Sequence, residues 1–190
     1  MKKRCSWCGD DPLYKEYHDH EWGVPLHDDT RLFEMIVLEG AQAGLSWITV
    51  LNKREQYRLA FDFFDYCKVA DYSDVDVLRL MDNPGIVRNR LKIESAIKNS
   101  RAILNIISEF GSFDNYLWRY VDGRPIQNNM QTSADLPSKS RLSVILSNDL
   151  KKRGFSFVGP TICYAFMQSI GMVNDHLVEC YRYAEIKDMC

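Results

Sequence analysis

The sequence predicts an all-α fold, and three observations lead to this class. Apolar residues recur at spacings of three and four along most of the chain, whereas alternation with a period of two is scarce. Residues that suit helix ends separate these stretches. The longest polar stretch, 122–138, contains two prolines and is typical of a loop.

The first helices follow from apolar faces in residues 30–61. Leu32, Phe33, Ile36 and Val37 predict a helix between Thr30 and Gly40. Ser46 is a candidate N-cap for a second helix. Its expected apolar stripe is Trp47, Val50, Leu51, Arg54, Tyr57 and Phe61.

Capping residues delimit the helices in the middle of the chain. Ser73-x-x-Asp76 has the spacing of a capping box and predicts a short helix through Leu78 and Met81. A long helix ending before Gly111 is predicted by Ile93, Ile97, Leu104 and Ile107. Ser112 can cap the next helix, which carries Tyr116, Leu117 and Tyr120.

The C-terminal third predicts three more helices. The first runs from Ser140 through Arg153, with Gly154 in the C′ position and an inward face of Leu142, Ile145, Leu146 and Leu150. Pro160 suits the first position of a helix that runs to Gly171. Asn174 can cap a last helix, which would carry His176 and Cys180.

Length and composition limit the class of protein. A chain of 190 residues fits one domain, which can consist of two helical lobes. No apolar run approaches the roughly 20 residues of a membrane span, and the N-terminus lacks the apolar core of a signal peptide. Six cysteines in a chain of this size favour reduced thiols inside the cell over a disulfide scaffold. The net charge of −2 excludes a strongly basic, non-specific nucleic-acid binder, so any such role depends on local basic patches at 88–92 and 151–153.

Cysteine and histidine residues at the two ends of the chain suggest a metal site. His176 and Cys180 are four residues apart and would share one face of a helix. Cys5 is a third candidate ligand, and spacing alone leaves the fourth open between His18 and Cys8, with His20 a weaker candidate. The alternative is that these are ordinary packed or solvated side chains.

Aromatic and acidic residues are concentrated in the N-terminal quarter: Trp7, Tyr14, Tyr17, Trp22, Glu39 and Trp47. Packing in the core explains any one of them. Together they also suit an aromatic-walled pocket for a planar ligand, with the Glu39 carboxylate as a directional acceptor. Composition does not decide between the two interpretations.

Five stretches resemble one known family closely. They are HDHEWGVP (18–25), LFEMIVLEGAQAGLSWITVLNKRE (32–55), GIVRNRLKI (85–93), KKRGFSFVGPTICYAFMQ (151–168) and VNDHLVEC (173–180). In this order, they are similar to the family of bacterial 3-methyladenine DNA glycosylases of type I, a divergent branch of the helix-hairpin-helix DNA glycosylases. The resemblance runs from about Cys5 to about Tyr181.

The resemblance implies a set of site residues. It implies a structural zinc held by Cys5, His18, His176 and Cys180, which joins the two ends of a single glycosylase domain. It implies that Glu39, Tyr17 and Trp47 act on the base, with Trp7, Tyr14 and Trp22 nearby. The wider superfamily often has a catalytic Asp where this chain has Asn174, so that Asp is not carried over, and a lysine nucleophile for a lyase step has no basis either.

Contacts to DNA are expected from three places. The resemblance makes the stretch between Gly154 and Gly159 a hairpin whose backbone amides hold phosphates. Gly44 and Leu45 are a candidate wedge in the gap that an extruded base leaves; that Leu45 simply packs under the next helix is an equal alternative. The third place is the basic patch of Arg88, Arg90 and Lys92, which suits phosphates.

The activity implied is hydrolysis of the glycosidic bond of 3-methyladenine in double-stranded alkylated DNA, with the free base as product. The expected protein is a cytoplasmic monomer that associates with the nucleoid through DNA and has no membrane partner. One competing hypothesis is a zinc-stabilised DNA-binding module without catalysis. Another is an enzyme whose zinc activates water, against which four protein ligands argue, because a catalytic zinc keeps one position open.

Overall fold

The computed structural model describes residues 2–189, and within this range eleven α-helices and a two-stranded sheet are present. The helices of the first half are α1 (Pro12–His20), α2 (Asp29–Gln42), α3 (Trp47–Leu51), α4 (Arg54–Ala60), α5 (Tyr66–Ala70) and α6 (Asp74–Asp82). Short 3-10 turns at Ser6–Cys8 and Asp62–Phe64 lie among them. The all-α class is confirmed for this part of the chain.

The second half begins with the longest helix. Its elements are α7 (Arg90–Phe110), α8 (Phe113–Trp118), α9 (Arg141–Lys152), α10 (Pro160–Ser169) and α11 (Tyr181–Lys187), with 3-10 turns at Arg119–Val121 and Ser133–Asp135. The strands are β1 (Ile126–Gln127) and β2 (Val173–Asn174). They pair in parallel, with Ile126 opposite Val173.

Capping residues begin several helices where the sequence predicts them. Ser73 and Asp76 form a capping box at the start of α6. The Ser112 side chain accepts a hydrogen bond from the backbone N–H of Asn115, and Ser140 does the same for Ser143. Each cap pairs backbone N–H groups that a helix leaves unsatisfied in its first turn.

One continuous hydrophobic core joins the helices. Helix α7 packs against α2, α5, α6 and α8, while α10 lies between α9 and α2. The largest fully buried side chains include Phe33, Phe61, Phe113, Tyr116 and Phe166. This packing sets α1, α2, α3 and α10 around one cavity, described below.

Several details differ from the sequence-based expectations, and no predicted helix corresponds to α1 or α5. The helix after Ser46 is broken into α3 and α4, and Phe61 lies just beyond α4. Ile145 is 46% exposed and does not belong to the inward face of α9. The loop at 122–138 contains β1, whose two residues complete a ladder too short to show a period of two. The last helix begins at Tyr181, so His176 and Cys180 precede it, and Asn174 lies in β2 instead of capping a helix.

Within residues 2–189, no helix combines the length and apolar character needed to cross a membrane.

Candidate functional site

A cavity of about 290 Å³ opens between the N-terminal aromatic residues and α10. All six residues of the predicted pocket line it: Trp7, Tyr14, Tyr17, Trp22, Glu39 and Trp47. Tyr17, Trp22 and Trp47 are also part of the hydrophobic core, so the two interpretations of these side chains hold together. They are close together in the sequence because they lie on consecutive segments: the Ser6–Cys8 turn, α1 and the turn after it, α2, and the start of α3.

The aromatic rings form a continuous wall. The ring centroids of Tyr17 and Trp47 are 5.3 Å apart at an interplanar angle of 45°. Trp7 lies 5.1 Å from Tyr14 and 4.9 Å from Trp22. These separations are in the range of favourable aromatic pairs, so the wall is held by the rings themselves.

Glu39 places a carboxyl group among these rings. It lies on α2 and is only 4% exposed. Burial raises its pKa to about 8, and the neighbouring Ser169 side chain opposes this rise. An empty pocket at neutral pH therefore holds a largely protonated carboxyl group.

Three polar atoms of the pocket are buried without a hydrogen-bond partner among residues 2–189. They are Oε2 of Glu39 and the indole nitrogens of Trp7 and Trp47. A buried polar atom without a partner costs about 1–3 kcal/mol. A polar ligand that pairs with these atoms recovers part of this cost, so the pocket is built for a ligand with its own donors and acceptors.

Five more residues, which the sequence did not predict as part of the pocket, also line the cavity: Gln42, Leu136, Pro137, Ala165 and Gln168. Gln42 is one helical turn after Glu39, so helical spacing could have found it. Gln168 is an amide on the mainly apolar helix α10, which is also a usable signal. Leu136 and Pro137 lie in the polar loop, where no periodicity indicates which side chains face inward.

Asp175, the acid next to Asn174, has a structural role. It is fully buried and accepts hydrogen bonds from the Tyr164 hydroxyl and the Gln168 amide at 2.7 Å each. Its other oxygen accepts a bond of 2.7 Å from the Asn128 amide. With these three donors it orients its neighbours, and Gln168 is the one that reaches the pocket.

The two ends of the chain meet in a cluster of four buried side chains, Cys5, His18, His176 and Cys180. Their candidate ligand atoms lie within 4.8 Å of one another. The Sγ atom of Cys180 is 3.4 Å from Nε2 of His18 and 3.6 Å from Nδ1 of His176, and Sγ of Cys5 is also 3.6 Å from that Nδ1. Sulfur and nitrogen ligands of a tetrahedral zinc lie roughly 3.5 Å apart, so this donor set fits such an ion.

The other ring nitrogens of both histidines are held in place. Nδ1 of His18 lies 2.8 Å from Oδ1 of Asp19. The Asp19 carboxylate also accepts hydrogen bonds from Arg4, from Nε to Oδ1 and from a terminal nitrogen to Oδ2. Nε2 of His176 lies 2.9 Å from the backbone oxygen of Trp22. A second partner of this kind fixes the imidazole ring so that its remaining nitrogen can bind a metal.

His18, and not Cys8, completes the cluster. The Cys8 thiol donates instead to the backbone oxygen of Cys5, and the side chain of His20 is 66% exposed. The expectation that a helix brings His176 and Cys180 together is wrong, because both lie in the turn before α11. The turn still brings both side chains to one point.

The hairpin between α9 and α10 is attached to the core by its buried side chains, while the space beside its two glycines is open. Phe155 and Val158 are buried in the core, and the Asn99 side chain bonds to both the N–H and the oxygen of Ser156. Gly154 has a φ of +95°, and a side chain added at Gly154 or Gly159 would meet no atom within 4 Å. The hairpin thus offers bare backbone to a partner.

The remaining predicted DNA contacts occupy different environments. Leu45 is 40% exposed in the turn after α2, so it is not covered by the next helix. Arg88 is exposed, and Arg90 pairs with Glu94 at 3.0 Å on the helix surface. Lys92 is half-buried and bonds to backbone oxygens inside the protein.

The chain is similar to known proteins over nearly its whole length. The family model described as methyladenine glycosylase matches residues 7–183. DNA-3-methyladenine glycosylase 1 of Escherichia coli (strain K12) is 51% identical over 181 residues, which cover 95% of this chain and 97% of the relative. A crystal structure of 3-methyladenine DNA glycosylase I superposes with a TM-score of 0.92 at 51% identity, covering 94% of this chain and 98% of that chain. A structure that describes 3-methyladenine recognition by the Staphylococcus aureus enzyme gives 0.91 at 39% identity, covering 94% and 95%.

Proposed function

The chain belongs to the methyladenine glycosylase family, and from this premise we propose how it removes 3-methyladenine from alkylated DNA. The reaction is hydrolysis of the N-glycosidic bond, and the free base is the product. The observation that carries the mechanism is the aromatic pocket with a buried, unpartnered carboxyl oxygen. The hypothesis of a DNA-binding module without catalysis does not account for membership of this family.

The substrate needs little chemical activation. Methylation at N3 gives the adenine ring a positive charge, so the base is already a good leaving group. The protein has to extrude the nucleotide, select the charged base and admit water to the sugar carbon. We therefore assign the pocket to recognition of the charged base.

The aromatic walls favour a cationic ring over a neutral one. The faces of Trp47 and Tyr17 carry negative electrostatic potential, and a cation above such a face gains about 0.5–2 kcal/mol. Both rings are almost completely buried, so water does not weaken this attraction. Ordinary adenine is neutral and lacks this gain.

Glu39 adds a second source of selectivity. Its pKa is raised because burial withdraws the carboxylate from water. A cationic purine provides both positive charge and N–H donors, so its binding favours the ionised carboxylate. Binding of the methylated base and ionisation of Glu39 therefore support each other.

We propose that the reaction stops at base release. Asp175 is already engaged by three donors, and the chain offers no assigned lysine nucleophile for a lyase step. The product is then the free base and an intact strand with an abasic sugar.

Double-stranded DNA would lie across the hairpin and the mouth of the pocket. The open backbone at Gly154 and Gly159 suits phosphate oxygens, and the exposed Leu45 suits the gap left by the extruded base. Arg88 and Arg90 would add phosphate contacts. We expect a monomer that works on the bacterial nucleoid, and the modest net charge suits an enzyme that must release DNA to scan it.

We propose that the Cys5, His18, His176 and Cys180 cluster holds a structural zinc. Four protein ligands would leave no open position for water, which separates this site from a catalytic zinc. An ion there would tie the two ends of the chain together. It would also fix the position of Trp22 in the pocket wall. The backbone oxygen of Trp22 is hydrogen-bonded to Nε2 of His176, and the two rings lie against each other.

The activity is tested by incubating the protein with alkylated DNA and separating the released bases by chromatography. We expect free 3-methyladenine from the wild-type protein. Glu39→Gln keeps the shape but cannot carry the negative charge, so excision should fall about 10- to 100-fold, the equivalent of one hydrogen bond to a charged group.

Glu16→Gln is the matched control, because Glu16 is exposed on α1 and loses the same charge without touching the pocket. Damaged-DNA binding without any released base would instead support a binding module. Equal turnover by Glu39→Gln and the wild-type protein would remove Glu39 from the mechanism.

A further inference from the structure

The ammonium group of Lys92 is used inside the protein. Lys92 is in the first turn of α7, and its Nζ donates to the backbone oxygens of Ala41 at 2.8 Å and Ala43 at 2.7 Å. Two of its three N–H donors are thereby occupied. Partial burial lowers the pKa of the lysine, as expected for an ammonium group that is partly withdrawn from water.

The two acceptors lie at the end of α2. A helix leaves the last backbone oxygens without partners, and the negative end of its dipole attracts a cation. Helix α2 ends at Gln42, with Ala43 as its C-cap, so Lys92 binds the atoms that need a donor. The contact is therefore a cap supplied by a neighbouring helix.

The capped turn connects the main parts of the site. It runs from Glu39 and Gln42 on the pocket wall, through Gly44 with a φ of +79° and the exposed Leu45, to Trp47 at the start of α3. The acid and the tryptophan of the pocket thus lie on the two sides of one short turn. A shift of this turn would move them relative to each other.

We infer that Lys92 is a positioning residue, which fixes the turn at 43–46 so that Glu39 and Trp47 face the base together and Leu45 stays at the surface. This inference deepens the proposed function and rests on it. It also replaces the expectation that Lys92 contacts phosphate, because its donors are directed to Ala41 and Ala43.

The substitution Lys92→Met removes the donors and keeps the length of the side chain. We expect the single-turnover excision rate to fall by about tenfold or more, because small misplacements of positioned groups are costly. Affinity for free 3-methyladenine, measured by tryptophan fluorescence, should fall as well. The salt dependence of DNA binding should stay at the wild-type slope.

Three further variants complete the experiment. Lys98→Met loses the same charge from an exposed position on α7 and should behave as wild type. Lys92→Arg keeps donors within reach of the turn and should recover part of the rate. Arg88→Met is the comparison for a phosphate contact, with a salt slope lower by about 1.

Two results would overturn the inference. A lower salt slope for Lys92→Met with unchanged affinity for the free base would make Lys92 a phosphate contact. A lower melting temperature with unchanged free-base affinity of the folded protein would make it a purely structural cap. Release of 3-methyladenine by the wild-type protein in the same assay tests the proposed function separately.

Discussion

Glu39 is a carboxyl group whose surroundings are mostly aromatic rings and hydrocarbon. Its pKa is raised to about 8 by burial, against an ordinary value of 4.5. Shifts of this kind are typical of carboxyl groups buried in a binding cleft. It also makes the stability of the ligand-free protein depend on pH.

The sign of this dependence follows from proton binding. Between about pH 4.5 and pH 8 the unfolded chain has lost the Glu39 proton while the folded protein keeps it. The stability that Glu39 contributes is therefore fully present below the unfolded pKa and is lost as the pH rises through the folded pKa. The amide of Glu39→Gln does not titrate, so the melting temperature of this variant relative to wild type should rise across the same interval.

Melting curves of both proteins without ligand, at several pH values in this interval, check the prediction. Glu16→Gln, which removes an exposed carboxylate, is the control for the loss of one negative charge. A constant difference between Glu39→Gln and wild type would mean that Glu39 ionises normally in the folded protein.

At the scale of elements, the hairpin between α9 and α10 shows how the fold presents backbone to a ligand. The hairpin is fixed to the core by the buried side chains of Phe155 and Val158, and by a hydrogen bond of 2.6 Å from the Ser147 hydroxyl to the backbone oxygen of Val158. The hairpin ends at Gly159, which is the N-cap of α10. The first N–H groups of that helix are therefore available to an anion.

Gly159 offers a sharp test of this anion site. Its φ of −63° suits any residue, and no atom lies within 4 Å of an added side chain, so Gly159→Asp should fold as well as wild type. Asp is also a good N-cap, but its charge would repel phosphate. We expect DNA binding to weaken several-fold while affinity for free 3-methyladenine is unchanged.

Gly159→Asn is the matched neutral variant, with nearly the same shape and the same capping ability. It should bind DNA better than Gly159→Asp, and the gap should shrink at high salt. If both variants bind DNA equally at low salt, the hairpin end does not contact phosphate.

At the scale of the whole molecule, the cluster of four ligands joins the two ends of the chain. Cys5 and His176 are 171 residues apart in sequence, yet their ligand atoms are 3.6 Å apart. Strand β2 ends two residues before His176, so its pairing with β1 holds the segment that leads to His176. A bound ion would favour the folded state, because the unfolded chain rarely brings such distant ligands together.

Cys180→Ala should lower both the melting temperature and the metal content. Metal analysis of the purified protein, together with a melting curve, measures both. Cys8→Ala is the control, because Cys8 is also a buried thiol near the cluster but its sulfur bonds to the backbone of Cys5. Stoichiometric metal and an unchanged melting temperature in Cys180→Ala would exclude the proposed zinc site.

The all-α class and many helix starts could be predicted from the sequence, and the family resemblance grouped the six residues that line one cavity. These features depend on neighbours a few positions apart: caps such as Ser112 and Ser140, the three-and-four spacing of α7 and α9, and family motifs that carry their residues together. The separation into α3 and α4 was not predicted, because the apolar stripe from Trp47 to Tyr57 continues across the break.

Which distant groups meet depends on how the helices pack. The tertiary structure brought Leu136 from a polar loop to the pocket, and it placed His18 with Cys180, as the family resemblance implies and as spacing alone left open. It also turned Lys92 from a surface cation into a cap for α2. The physical reason is that local periodicity reports which face of a helix is apolar, whereas partners across the core are chosen by how those faces pack.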